Sequence, residues 1–270
     1  LLGGLWAYLA GVWWTALPTL AGLALHLNVG AADSYWREHR RREQLRADFA
    51  RYVPAAVVDA LVADGAQPQL HGERRVLTLL FSDLAGFTAA SEHLPPEAVA
   101  QALNAYFSRM THTVHQHGGT LDKFIGDAVM AFWNAPLPNP RHADRALACA
   151  LAMQAEFNKP LEDQGLLEGF SVGIGIAYGR AIAGQIGTSQ QAKVGVFGPV
   201  VNQGSRVEGM TRQFGVGICL DEATVEFVRR RLPPDQARVR KLARVRPKGM
   251  DTAMTVGELL PPAGPNCSVT

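Results

Sequence analysis

Val76-Leu77-Thr78-Leu79-Leu80-Phe81-Ser82-Asp83-Leu84-Ala85-Gly86-Phe87-Thr88 is the stretch on which the reading of this chain turns. Val76 to Phe81 is an apolar run that ends in a carboxylate, and its composition predicts a buried strand over Val76–Asp83. Gly86 marks a turn, and a helix-like segment follows. An acid at the end of a buried strand is costly unless something pairs with it, and a metal ion is the usual partner. A second acid, Asp127, has a similar setting within Lys123-Phe124-Ile125-Gly126-Asp127-Ala128-Val129-Met130.

The surrounding elements alternate in type. Pro95-Pro96 opens a helix whose apolar positions Val99, Leu103, Tyr106, Met110 and Val114 keep one face, and Gly118-Gly119 ends it. Thr120–Ile125 and Ala128–Trp133 read as a hairpin around Gly126-Asp127. Asn139–Phe157 is a second amphipathic helix, and a further hairpin is expected for Phe170–Tyr178 and Ala181–Ile186 across Gly179-Arg180. Val194–Phe197 reads as extended and Val200–Thr211 as helical. A strand at Gly217–Leu220 and a helix at Glu222–Arg230 precede a closing antiparallel pair, Val239–Val245 with Ala253–Leu259. So many hairpins argue for an α+β domain with a mixed, mostly antiparallel sheet and helices packed on it, not a doubly wound parallel sheet.

Composition bounds the rest. A 270-residue chain with 47% hydrophobic residues is long and apolar enough for a full core, and a net charge of +2 argues against a general nucleic-acid binder. Cys149, Cys219 and Cys267 are scattered and suggest neither a disulfide framework nor a zinc site. Leu1 to Asn28 lacks Asp, Glu, Lys and Arg, which predicts a transmembrane segment within residues 1–33. Arg37-Glu38-His39-Arg40-Arg41-Arg42 follows, and basic residues beside a span mark its cytoplasmic side. The expected organisation is a membrane anchor over 1–33, a helical connector over 34–70, a catalytic domain over 71–260 and a flexible tail over 261–270. The catalytic domain would then lie on the cytoplasmic face of the inner or plasma membrane.

Three motifs in order carry a family resemblance: Phe81-Ser82-Asp83-Leu84-Ala85-Gly86-Phe87-Thr88, then Lys123 to Trp133, then Phe197-Gly198-Pro199-Val200-Val201-Asn202-Gln203-Gly204-Ser205-Arg206. They resemble the class III nucleotidyl cyclases, the adenylate and guanylate cyclases with a ferredoxin-like catalytic core. The resemblance implies that Asp83 and Asp127, with Leu84, hold two Mg2+ or Mn2+ ions, and that Asn202 and Arg206 orient the ribose and stabilise the transition state. Asn202 and Arg206 are four residues apart, so one helical face can present both. Gly86 and Phe87 would bring backbone N–H groups to the phosphates. Arg180, and Lys248 in a loop where Met250 replaces the family's second lysine, are further substrate-binding candidates.

Base selection is where the sequence departs from the family. Lys123 matches the lysine that adenylate cyclases direct at adenine, whereas a glutamate would be expected for guanine. Its partner position falls on Gly195, which has no side-chain acceptor. The resemblance therefore implies ATP as substrate, with GTP or a weakly active dimerising module as alternatives. It also implies a homodimer, because the metal-binding aspartates and the residues Lys123, Asn202 and Arg206 come from different copies at each site. His112, His115 and His117 gather at a helix end, where the dipole favours them without any metal. The basic runs Arg229–Arg231 and Arg238–Arg246 lack interleaved aromatics and read as solvated faces.

Overall fold

The computed structural model describes residues 6, 8, 20–40, 72–159, 169–188, 191–233, 237–247 and 252–262. The chain divides into two compact units, Leu1–Arg51 and Tyr52–Thr270. In the first, residues 20–40 are helical, and Leu20, Leu23, Leu25, Leu27 and Val29 are exposed. No helix among the described residues is long and apolar enough to cross a membrane. His26 and Asn28 interrupt the apolar run, and Asp33, Arg37, Glu38 and Arg40 end it. The transmembrane helix expected over 1–33 thus finds no support among the described residues. Most of the connector expected over 34–70 and of the tail over 261–270 lies outside them.

The second unit is built on an eight-stranded sheet. Its strands are β1 (Glu73–Ala85), β2 (Thr120–Ile125), β3 (Ala128–Trp133), β4 (Ser171–Thr188), β5 (Gln191–Phe197), β6 (Ile218–Leu220), β7 (Arg238–Val245) and β8 (Met254–Leu260). The order is β2-β3-β1-β4-β6-β8-β7, with β5 paired to β4. Every pairing is antiparallel except β4 with β6. This is the mixed, mostly antiparallel sheet that the run of hairpins predicts. Among the described residues five helices join it: α1 (Phe87–Ser91), α2 (Pro96–Gln116), α3 (His142–Phe157), α4 (Pro199–Phe214) and α5 (Glu222–Arg231).

β1 reads as a continuous apolar run because both of its faces are covered. Leu77, Leu79 and Phe81 belong to a cluster with Met130, Phe132, Ala177 and Val200. Leu80 and Leu84 point the other way, into a larger cluster with Tyr106, Met110, Leu147 and Met153. That period-2 split is what a strand with two packed faces requires. The polar residues Thr78 and Ser82 are buried beside Leu80, and each has a partner: His142 Nδ1 at 2.8 Å and the Tyr106 hydroxyl at 3.0 Å.

One expectation fails. Residues 170–186 do not form a hairpin at Gly179-Arg180. β4 is a single strand of 18 residues, paired with β1 from Glu73↔Ala183 to Ala85↔Ser171. Gly179 and Arg180 lie opposite Leu77 and Val76, so the ladder to a long neighbour outweighs the local turn signal. The chain reverses later, between β4 and β5.

Asp221 locks α5 to the sheet. Its fully buried carboxylate caps the helix at Thr224 N and also accepts from Tyr178 N at 3.3 Å and Gln203 Nε2 at 2.7 Å. Burial raises its carboxyl to about 6 against the pull of these donors. Asp221→Ala strands all of these donors in the core and is expected to lower stability by about 2–4 kcal/mol, read by chemical denaturation.

Candidate active site

Asp83 lies near the end of β1, opposite Gly173 of β4. Ser82 pairs with Val129 of β3, so the β2–β3 turn, with Gly126 at φ +62°, carries Asp127 to the same end of the sheet. The two carboxylates meet there. Burial first, then the hydrogen bond and negative charge of Asp83, raise the Asp127 carboxyl, while the Leu84 backbone N–H pulls it back down. Oδ2 of Asp127 is buried without a hydrogen-bond partner. A buried, unpartnered carboxylate oxygen beside a second carboxylate is suited to a cation.

Among the described residues no group of three or more His, Cys, Asp or Glu side chains forms a metal cluster. Two carboxylates are nevertheless the protein share that a Mg2+ site completed by substrate phosphates ordinarily has. Asp83 and Asp127 therefore fit a divalent ion. Leu84 is buried in the core, so only its backbone can take part.

α4 crosses the site closely. A Cβ at Gly175 would lie 2.2 Å from the Glu208 backbone nitrogen, and one at Gly173 would lie 2.4 Å from Thr211 Oγ1. The alternating Gly173-Ile174-Gly175 thus lets a helix lie on the strand, a packing role that spacing alone leaves unassigned. This approach brings in two residues that the sequence reading did not single out. Arg212 Nη1 reaches Asp83 Oδ2 at 2.7 Å, and Arg212 Nη2 lies 3.6 Å from Glu208 Oε1. Burial, helped by the charges of Asp83 and Asp127 and opposed by Arg212, raises the Glu208 carboxyl to about 7. The Glu208–Arg212 spacing is a common helix pair, and nothing in sequence ties it to a residue 129 positions away.

The other expected residues are spread over the domain. Gly86 adopts φ +81° at the start of α1, and the Phe87 ring is buried against Phe170, so each could take part only through its backbone. Arg180 is exposed on β4 opposite Val76. Seven residues of strand separate it from Gly173, roughly 23 Å, so within one chain it is remote from Asp83. Lys248 and Met250 lie outside the described residues. Of the three histidines, His117 bonds through Nδ1 to the Thr113 carbonyl at the end of α2.

Lys123, on β2, sits apart with Gly195 of β5. Its side chain is half exposed, its ammonium lies 2.9 Å from Asp122 Oδ2, and it stands 5.8 Å from the centre of the Phe197 ring. Asn202 is exposed near the start of α4, and Arg206 lines a cavity of about 320 Å³ with Gly209, Met210, Gln213, Val245, Arg246 and Pro247. Along the helix, Asn202 is roughly 15 Å and Arg206 roughly 9 Å from the level of Arg212, and Arg206 is turned about 120° around the axis from it. One copy therefore aims Arg212 at its own carboxylates and aims Arg206 elsewhere.

Residues 71–255 match the family described as Adenylate and Guanylate cyclase catalytic domain. The chain is 34% identical over 215 residues to Adenylate cyclase 1 of Rhizobium meliloti and 32% identical over 220 residues to an adenylate cyclase of Anabaena cylindrica. Each match covers 78% of this chain but only 31% and 42% of those relatives, so the chain spans well under half of their length. The crystal structure of the adenylyl cyclase CyaB from P. aeruginosa superposes with a TM-score of 0.63 at 27% identity, covering 71% of this chain and 96% of that one. The guanylyl cyclase Cya2 gives 0.61 at 34% identity, covering 72% and 96%.

Proposed function

The chain belongs to the class III adenylate and guanylate cyclase catalytic-domain family, and from that premise we propose that it converts ATP to 3′,5′-cyclic AMP and pyrophosphate, in signal transduction, at sites shared by two copies. The observation that carries this reading is the meeting of Asp83 and Asp127 at one end of the sheet, with a buried carboxylate oxygen left unpartnered. The ribose 3′-hydroxyl attacks the α-phosphorus, its proton passes to water, and the bond to the bridging oxygen breaks to release pyrophosphate. Two Mg2+ or Mn2+ ions held by Asp83 and Asp127 would favour the ionised hydroxyl and neutralise the triphosphate.

The chain's own groups supply the rest. Asn202 orients the ribose, and Arg206 offers a fixed positive charge to the phosphorane. Lys123 donates to a ring nitrogen of adenine. The placement of Asn202 and Arg206 away from the carboxylates of their own chain supports their use at a partner's site, which makes a homodimer the active form. Attachment to a membrane through residues 1–33, with the catalytic domain on the cytoplasmic side, belongs to the same proposal. It rests on the absence of charge from Leu1 to Asn28 and on the exposed leucines of the N-terminal helix.

Purified protein with Mn2+ is expected to form cyclic AMP from ATP faster than cyclic GMP from GTP, as measured by chromatography of the products. A clear preference for GTP, which the likeness to a guanylyl cyclase would favour, removes ATP from the reading. Failure to cyclise either nucleotide removes the enzyme.

A further inference from the structure

Asp122 is the residue immediately before Lys123, and it stands where β2 is irregular. Leu121 pairs with Ala131 and Lys123 with Met130, so Asp122 is an extra residue in the ladder, a β-bulge. Bulges re-aim side chains, and this one turns a carboxylate inward. The Asp122 side chain is 2% exposed, while that of Lys123 is 47% exposed. A buried acid so close to the surface needs a partner: the Lys123 ammonium lies 2.9 Å from its Oδ2 as an ion pair outside hydrogen-bond geometry, and the Val196 backbone N–H donates to the carboxylate.

Gly195 is its neighbour across β5. A Cβ placed there would lie 2.9 Å from Asp122 Oδ1, inside van der Waals contact. The room that a side chain at position 195 would use is therefore taken by Asp122. A carboxylate from β2 thus reaches the space that a side chain at Gly195 would occupy.

We infer that Asp122 is a positioning residue for base preference: its carboxylate fills the side-chain space of residue 195 and fixes the Lys123 ammonium near the Phe197 ring. Held in this way, the ammonium is a donor of defined location beside the Phe197 ring. Released, it is a mobile charge on a flexible stem that serves adenine N1 and guanine O6 alike. This rests on the base-reading role proposed for Lys123. It differs in placing the determinant of specificity on β2 and not at position 195.

Displacement of a fluorescent nucleotide analogue by ATP and by GTP tests it, since the ratio of the two affinities does not require turnover. Asp122→Ala is expected to move that ratio about tenfold toward equality, the effect of one lost charge-assisted contact. Gly195→Ala should do the same with both charged residues retained, because its methyl displaces Oδ1. Combining the two should add nothing further, and Asp122→Ala with Gly195→Asp should restore the ratio by returning a carboxylate from the other strand. A ratio unmoved by Asp122→Ala, or single effects that simply add, overturns the inference. A wild type that cyclises ATP with such an unmoved ratio sinks this inference alone. A wild type whose ratio responds but which makes no cyclic nucleotide sinks the proposed activity alone, and one that binds neither nucleotide sinks both.

Discussion

Replacing Asp83 by alanine is expected to lower cyclic nucleotide formation by at least about a thousandfold, since it removes one of the two carboxylates proposed to hold the metal ions that neutralise the reacting phosphates. The fold should survive. Asp83 is one acid among three that crowd the end of the sheet, with Asp127 and Glu208, and its loss removes a like charge that adds to burial in raising Asp127. Arg212 keeps Glu208 as a neighbour when its 2.7 Å bond to Asp83 is gone. Thermal melting should therefore change little while activity disappears. Mn2+ binding, followed by the paramagnetic resonance of the free ion, should be lost in parallel with activity. Loss of activity with Mn2+ binding intact would assign Asp83 a role other than metal holding.

Arg206→Ala carries the second large effect. A guanidinium that meets charge developed only in the transition state should cost about a hundredfold to a thousandfold in kcat with little change in KM. Arg206→Lys should recover only a part, because an ammonium lacks the planar fork. The side chain is half-buried and lines a cavity with Met210, Val245 and Pro247, so some packing is lost too, and a melting curve separates that from catalysis. A rise in KM at unchanged kcat would instead make Arg206 a ground-state binding residue.

What was legible in the sequence follows from what was local. The apolar run into Asp83 reads correctly as a strand because burial of both faces leaves its mark residue by residue: Leu77, Leu79 and Phe81 on one side, Leu80 and Leu84 on the other. The Gly126-Asp127 hairpin is legible because the turn glycine needs a positive φ. The error at Gly179-Arg180 has the opposite origin. The turn signal there is local, but β1 supplies a thirteen-residue partner that carries β4 straight through it. Arg212 at Asp83 and Asp122 beside Gly195 were invisible for a related reason. Each depends on two elements meeting, and the features that let them meet, glycines on β4 and a bulge in β2, carry no label in sequence.

The central claim is a site completed by two copies, and mixing two inactive variants tests it most directly. One partner carries Asp127→Ala and the other Arg206→Ala. If the site is shared, random reassociation makes half of the dimers mixed, each with one intact site of two, so activity should return to about a quarter of the wild-type level. If each chain holds a complete site of its own, the mixture will show no more than the average of the two variants, and the shared site is wrong.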